Sequence, residues 1–151
     1  LLYAVTQKTA AEIIVSRADA NSPNMALTNW KGTKVRKQDI YIAKNYLTKD
    51  EIDTLNRLVV IFLETAELRI KERIDISMEF WTKNVDRLLE FNNKPLLASK
   101  GSISNKEMED KVSEMYHLFE DRRKKQEAIA DDKMELNELN ELEKKLKRRE
   151  K

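Results

Sequence analysis

The sequence predicts an all-α fold: a helical bundle with a buried central helix and a long charged C-terminal helix. Three observations point there. Only two Gly and two Pro interrupt 151 residues, and these are the residues that most disfavour helix interiors. Three Ser/Thr-x-x-Glu strings stand at Thr9–Glu12, Thr48–Glu51 and Ser104–Glu107, the capping-box signature of a helix start. The apolar residues that follow recur three or four apart, and no run keeps the period of a strand.

The elements follow in order. "LLYAV" opens the chain inside an apolar pattern and without Met, as expected of a fragment whose upstream part is missing. Thr9 caps the first clear helix, which turns Ile13 and Ile14 inward. "DANSPNM" ends it, because Asp, Asn, Ser and Pro favour turns and Pro23 keeps Ser22 out of the helical region. Asp19 and Asn24 read there as turn residues.

Residues 27–47, "LTNWKGTKVRKQDIYIAKNYL", carry five basic residues against Asp39, a local charge of +4, whereas the whole chain sums to +2. Gly32 predicts a turn with an unusual backbone angle. From about Lys37 the spacing of Ile40, Ala43 and Leu47 predicts a short helix with these three inward.

Thr48 opens the main helix, expected over residues 49 to 73. Ile52, Leu55, Val59, Phe62, Ala66 and Ile70 form its stripe, and Leu58, Val60, Ile61 and Leu63 make its middle apolar all round. Such a helix is ordinarily buried on every side. Ser77 caps the next, whose inward residues are Trp81, Val85, Leu88 and Leu89 and which ends at Asn92 and Asn93, before Pro95. "KPLLASKGSIS" is a loop with Leu96, Leu97 and Ile103 tucked onto the core. After Ser104, the 4, 3, 4 spacing of Met108, Val112, Met115 and Phe119 is a seam. It thins in "EDRRKKQEAIADDK" and resumes at Leu136, Leu139, Leu142 and Leu146. This end is one long helix, or two with a break near Ala130 to Asp132, and offers a coiled-coil stripe to a partner. The division is thus a helical domain over residues 1–120 and a charged helical tail over 121–151.

Composition narrows the function. An apolar share of 40% beside a charged share of 37% describes a soluble chain with a modest core and long exposed faces. No stretch approaches the roughly 18 apolar residues of a membrane span, and nothing reads as a secretory signal; a cytoplasmic setting is compatible with this. The absence of Cys excludes disulfides and thiolate metal sites, and His117 has no second His with which to form a zinc pair. His117 has Glu114 and Asp121 on its side of the helix, yet a lone His among helical charges is ordinarily a surface residue. Nucleotide-binding, EF-hand and nucleophile-elbow strings are missing. The residues ask for no metal, cofactor or small-molecule ligand and lean away from an enzyme.

Nucleic acid is a second reading. Trp30, Lys31, Lys34, Arg36, Lys37 and Lys44 combine cations for phosphate with an aromatic able to stack on a base. The terminal run "EKKLKRREK", with a local charge of +4, reads more simply as cations complementing a helix C-terminus. A helical self-association or docking module is the reading that the surplus apolar stripes favour.

Several blocks together carry a resemblance: "KTAAEIIVSRAD", "PNMALTNWKG" and "IAKNYLTKDEIDTLNRLV", with weaker likeness through "ISMEFWTKNVDRLLEFNNKPLL" and "GSISNKEMEDK". The chain resembles the C-terminal region of the RhuM family, virulence-associated bacterial proteins named after one encoded on a pathogenicity island. The likeness covers most of residues 1 to about 120. It implies an upstream helix-turn-helix-like DNA-binding region, and DNA as a partner of the full-length protein. It implies no established activity and no catalytic residues. Arg17, Asp19, Asn24 and Asn45 stand in these blocks beside the tryptophan and cations already named, and are polar site candidates of unknown role. An enzyme built around Arg17, Asp19, Trp30 and Lys31 is the remaining alternative.

Overall fold

The computed structural model describes residues 1–75 and 77–149, with the side chains of all but 145–149. Among them are five α-helices and no strand: α1 (Leu2–Thr6), α2 (Ala10–Arg17), α3 (Lys49–Lys71), α4 (Met78–Phe91) and α5 (Asn105–Arg149). The all-α class is as expected. α5 runs through Ala130 to Asp132 as a single helix. Leu146 and most of the terminal basic run lie outside the described side chains.

The capping strings start their helices. At Thr9 and Thr48 the box is complete: each hydroxyl accepts from the backbone N–H of Glu12 or Glu51, whose carboxylate accepts from the threonine N–H. Ser104 accepts from the Glu107 N–H, but the Glu107 carboxylate pairs with Lys111 at 2.8 Å instead of turning back. Ser77 caps α4 by accepting from the Phe80 N–H.

Residues 37–47 differ from the short helix expected. They form two 3-10 turns, Asp39–Tyr41 and Ala43–Tyr46, separated by an extended Ile42. The reason lies in side chains that occupy backbone carbonyls. The Asn45 amide donates to the Asp39 carbonyl at 2.9 Å and the Tyr46 hydroxyl to the Ile40 carbonyl at 3.0 Å. Groups that a continuous helix would pair internally are thus satisfied from the side. Ile40, Ala43 and Leu47 still face inward.

Two hydrophobic clusters result. The larger joins Ile13 and Ile14 of α2, Met25, Ile40, Tyr46 and Leu47 of the connecting segments, Leu55 of α3, and Met108, Val112, Tyr116 and Phe119 of α5. The smaller has only Ala4 of α1, Leu58 of α3 and Leu89 of α4 as buried members. α3 starts in the first and passes into the second, where Phe62 stacks on Trp81 of α4 with ring centroids 4.3 Å apart.

The expectation of a buried central helix meets a different arrangement. Of α3 only Leu55 and Leu58 are buried; Val59, Val60, Ile61, Leu63, Leu68 and Ile70 are exposed. One apolar face packs on α1 and α4, and no described residue covers the rest.

Candidate functional site

The basic segment is a knot of backbone hydrogen bonds around Asn45. The Asn45 carbonyl accepts from the Thr28 N–H at 2.7 Å and the Asn29 N–H at 3.3 Å, and the Thr28 hydroxyl reaches the Asn45 and Leu47 carbonyls. Asp39 is buried and accepts from the Arg36 N–H through its carboxylate. Gly32 takes a φ of 92°, the left-handed region its position predicted. Fixed in this way, the segment presents Lys31, Arg36, Lys37 and Lys44 to solvent with no carboxylate of a described residue in ion-pair range. Lys34 differs: it pairs with Glu127 of α5 at 2.6 Å, tying the segment to the long helix. Trp30 is half-buried against the larger cluster and shares a shallow cavity with Lys31, Asp39 and Asn45.

The remaining block residues serve links within the chain. Arg17 makes a two-pronged pair with Glu51, both contacts 2.6 Å, and donates to the Tyr46 carbonyl at 2.8 Å. It therefore locks the end of α2 to the cap of α3. The Arg17 guanidinium, helped by the Thr48 bonds, holds the Glu51 carboxyl down at about 2. Asp19 accepts from the Asn21 N–H and the Ser22 hydroxyl, and these bonds, Ser22 first, hold its carboxyl below the usual range.

Asn24 belongs to a stranger feature. Asn24, Met25 and Ala26 have φ of 53°, 55° and 60°, three left-handed residues in succession. L-residues visit this region singly, and runs are disfavoured by ~1–2 kcal/mol per residue. The turn buries the Met25 side chain completely, which offsets that strain by ~1.5–3 kcal/mol. It also lays Asn24 against α5.

Sequence reasoning passed over Arg122, Arg123 and Gln126, which meet this turn. A signal was present. Arg122 stands seven residues after Met115, and Gln126 seven after Phe119, so the inward seam of α5 continues in polar residues.

The α3–α4 layer is the other candidate surface. Arg69 of α3 stacks on Phe80 at 3.7 Å and extends the Phe62–Trp81 contact. Outside this contact Val59, Leu63 and Ile70 make one exposed stripe, with Val60 at its edge, while Ile61 and Leu68, seven apart, lie on the opposite side. On α5, Ile129, Met134, Leu136, Leu139 and Leu142 are all exposed.

The family model described as "Virulence protein RhuM family" matches residues 1–127. The chain belongs to the RhuM family. No curated protein and no solved structure matches it. The RhuM match ends at Glu127, the residue through which α5 pairs with Lys34. Among the described residues no helix is long and apolar enough to cross a membrane, and no group of three or more Asp, Glu or His is placed to hold a metal ion.

Proposed function

We propose that this RhuM-family chain is a self-association module, whose α3 surface docks on a second copy of the same chain, in service of the DNA-binding-like region the family resemblance implies. The observation that carries the reading is the exposed apolar stripe Val59–Leu63–Ile70 on a helix whose other apolar face is already satisfied. Contiguous apolar patches beyond a few hundred Å² mark interaction sites on soluble proteins. A second copy fits because a two-fold axis lets the same stripe cover itself. A helix of this length offers a face about 35 Å long and about 10 Å wide. That is less than the ~800 Å² per partner of a stable interface, so the exposed leucines of α5 contribute the remainder.

Sedimentation or light scattering across a concentration range tests this. A concentration-dependent dimer that the Leu63→Glu/Ile70→Glu variant converts to a folded monomer is expected. A wild-type chain that stays monomeric at high concentration overturns the reading.

A second reading, contact with nucleic-acid phosphates, is favoured by the exposed cations Lys31, Arg36, Lys37 and Lys44, none of which has an ion pair with a described residue. It predicts affinity that falls steeply with salt and is lost in the fourfold Ala variant. Unchanged binding in that variant removes it.

A further inference from the structure

A cavity of about 400 Å³ lies between the left-handed turn and α5. Its polar wall is Arg122, Arg123, Asn21, Asn24 and Gln126, and no carboxylate lines it. Phe119, itself buried, and Pro23 form the apolar part of the wall.

Arg122 is held but not neutralised, whereas Arg123 is compensated in part. Arg122 donates one Nη to the Asn21 carbonyl at 2.7 Å, and no carboxylate of a described residue stands within ion-pair distance of it. Asp19 is near enough to be influenced by its charge, but that carboxylate is engaged with Asn21 and Ser22. Arg123 donates to the Val35 carbonyl at 3.3 Å and has Glu120 at 3.5 Å and Glu127 at 3.9 Å. Glu127 is shared with Lys34 at 2.6 Å, and Glu120 also faces Lys124 at 3.9 Å. The Nε of each arginine is sealed from solvent and so from the cavity, and that of Arg123 has Glu127 at 3.9 Å. An arginine without a carboxylate partner, on a cavity wall that no carboxylate lines, leaves a place for an anionic acceptor.

The donor set defines that acceptor. Two guanidiniums match a tetrahedral dianion better than a single carboxylate, because each offers a planar fork of N–H groups. Carboxamides add neutral donors and can accept from an ester's hydroxyls. The left-handed backbone fixes Asn24 at the rim, since a buried Met25 holds the turn. The volume suits a small ligand and not only a bare ion. We propose that this cavity binds a small phosphate monoester, with Arg122 as its principal anchor and Asn24 and Gln126 orienting the ester. The site is independent of the α3 stripe.

Calorimetric titration of the full chain at fixed ionic strength tests this, with inorganic phosphate in one arm and AMP in the other. Saturable one-to-one binding with Kd below ~1 mM is expected. Tighter binding of AMP names an ester as the natural ligand; equal affinities name free phosphate, and the recognised group stands. Arg122→Gln should weaken binding at least ~10-fold, the loss of a charge-assisted hydrogen bond. Asn24→Gly keeps the left-handed backbone and removes only the amide, and should weaken binding in a chain that folds as the wild type does. Lys125→Gln, an exposed cation of the same helix outside the cavity, should change nothing. No saturable binding of either anion up to ~10 mM, or an equal loss in Lys125→Gln, overturns the proposal.

Discussion

The two ends of α3 live in different proteins, physically speaking. Its first turns enter a cluster where Ile13, Met25, Ile40, Leu47 and Val112 have essentially no exposed surface and where segments far apart in sequence are joined by Arg17–Glu51 and Lys34–Glu127. Its middle and end share with α1 and α4 a cluster of three buried residues, held by the Phe62–Trp81 stack and by Arg69 on Phe80. Apolar content does not distinguish the two, because mid-α3 is as hydrophobic as anything in the larger cluster. The difference is what covers it. The first region is complete within the chain, whereas the second has apolar surface in excess of its own layers.

Substitutions of equal chemistry make that contrast measurable. Leu47 is fully buried, and Leu63 is 55% exposed. Leu47→Ala should cost about 3 kcal/mol in urea unfolding, transfer plus cavity. Leu63→Ala should stay within ~0.5 kcal/mol when the chain is dilute, and become destabilising only at concentrations where copies associate. Equal losses at both positions in dilute chain would erase the distinction between the regions.

Acid should act on the complete region first. Glu12 and Glu51 both have carboxyls lowered to about 2, Glu12 mainly by the Thr9 N–H and then by Ser102, Glu51 mainly by Arg17. A carboxyl depressed in the folded state stabilises fully above its unfolded value near 4.5 and loses that contribution as pH falls towards 2. Melting temperature should therefore drop between those limits. Arg17→Ala removes a bidentate, partly shielded pair and should cost about 2 kcal/mol at neutral pH. That deficit should shrink as pH approaches 2, where Glu51 is half protonated in the wild type. A constant deficit down to acid pH would mean that Arg17 acts through its packing and its bond to the Tyr46 carbonyl and not through Glu51.

What the sequence disclosed follows the range of the interactions. Capping boxes are local, and Thr9, Thr48 and the Ser77 cap were legible from neighbouring residues. The inward faces of α2 and the first half of α5 were legible because one periodic stripe met one core. Residues 37–47 misled, since their spacing suits a helix and only the Asn45 and Tyr46 side chains, reaching back six residues, divert it. The exposure of mid-α3 was not legible either. An apolar circumference states that a helix is covered and is silent on whether its own chain covers it. The cavity on α5 joins residues about a hundred positions apart in sequence, and its one local trace is a seam that goes on in arginine and glutamine.

The smallest expected effect concerns strain, and it runs opposite to the others. Of the three left-handed residues, Asn24 tolerates that conformation through its short polar side chain. Met25 cannot be exchanged, since its fully buried side chain belongs to the larger core. Ala26 has neither reason to be there: it makes no polar contact and is not among the buried core residues, yet its φ is 60°. Glycine removes the Cβ clash, worth ~1–2 kcal/mol, and gives back ~0.4–1 kcal/mol through a freer unfolded chain. Ala26→Gly should thus stabilise the protein by about 0.5 kcal/mol, read as a higher urea midpoint with an unchanged slope. The gain belongs to the densely packed region, where it shows that a complete core still holds strain in order to seat Met25. A loss of stability would show instead that the Ala26 methyl contributes more by packing than its backbone forfeits.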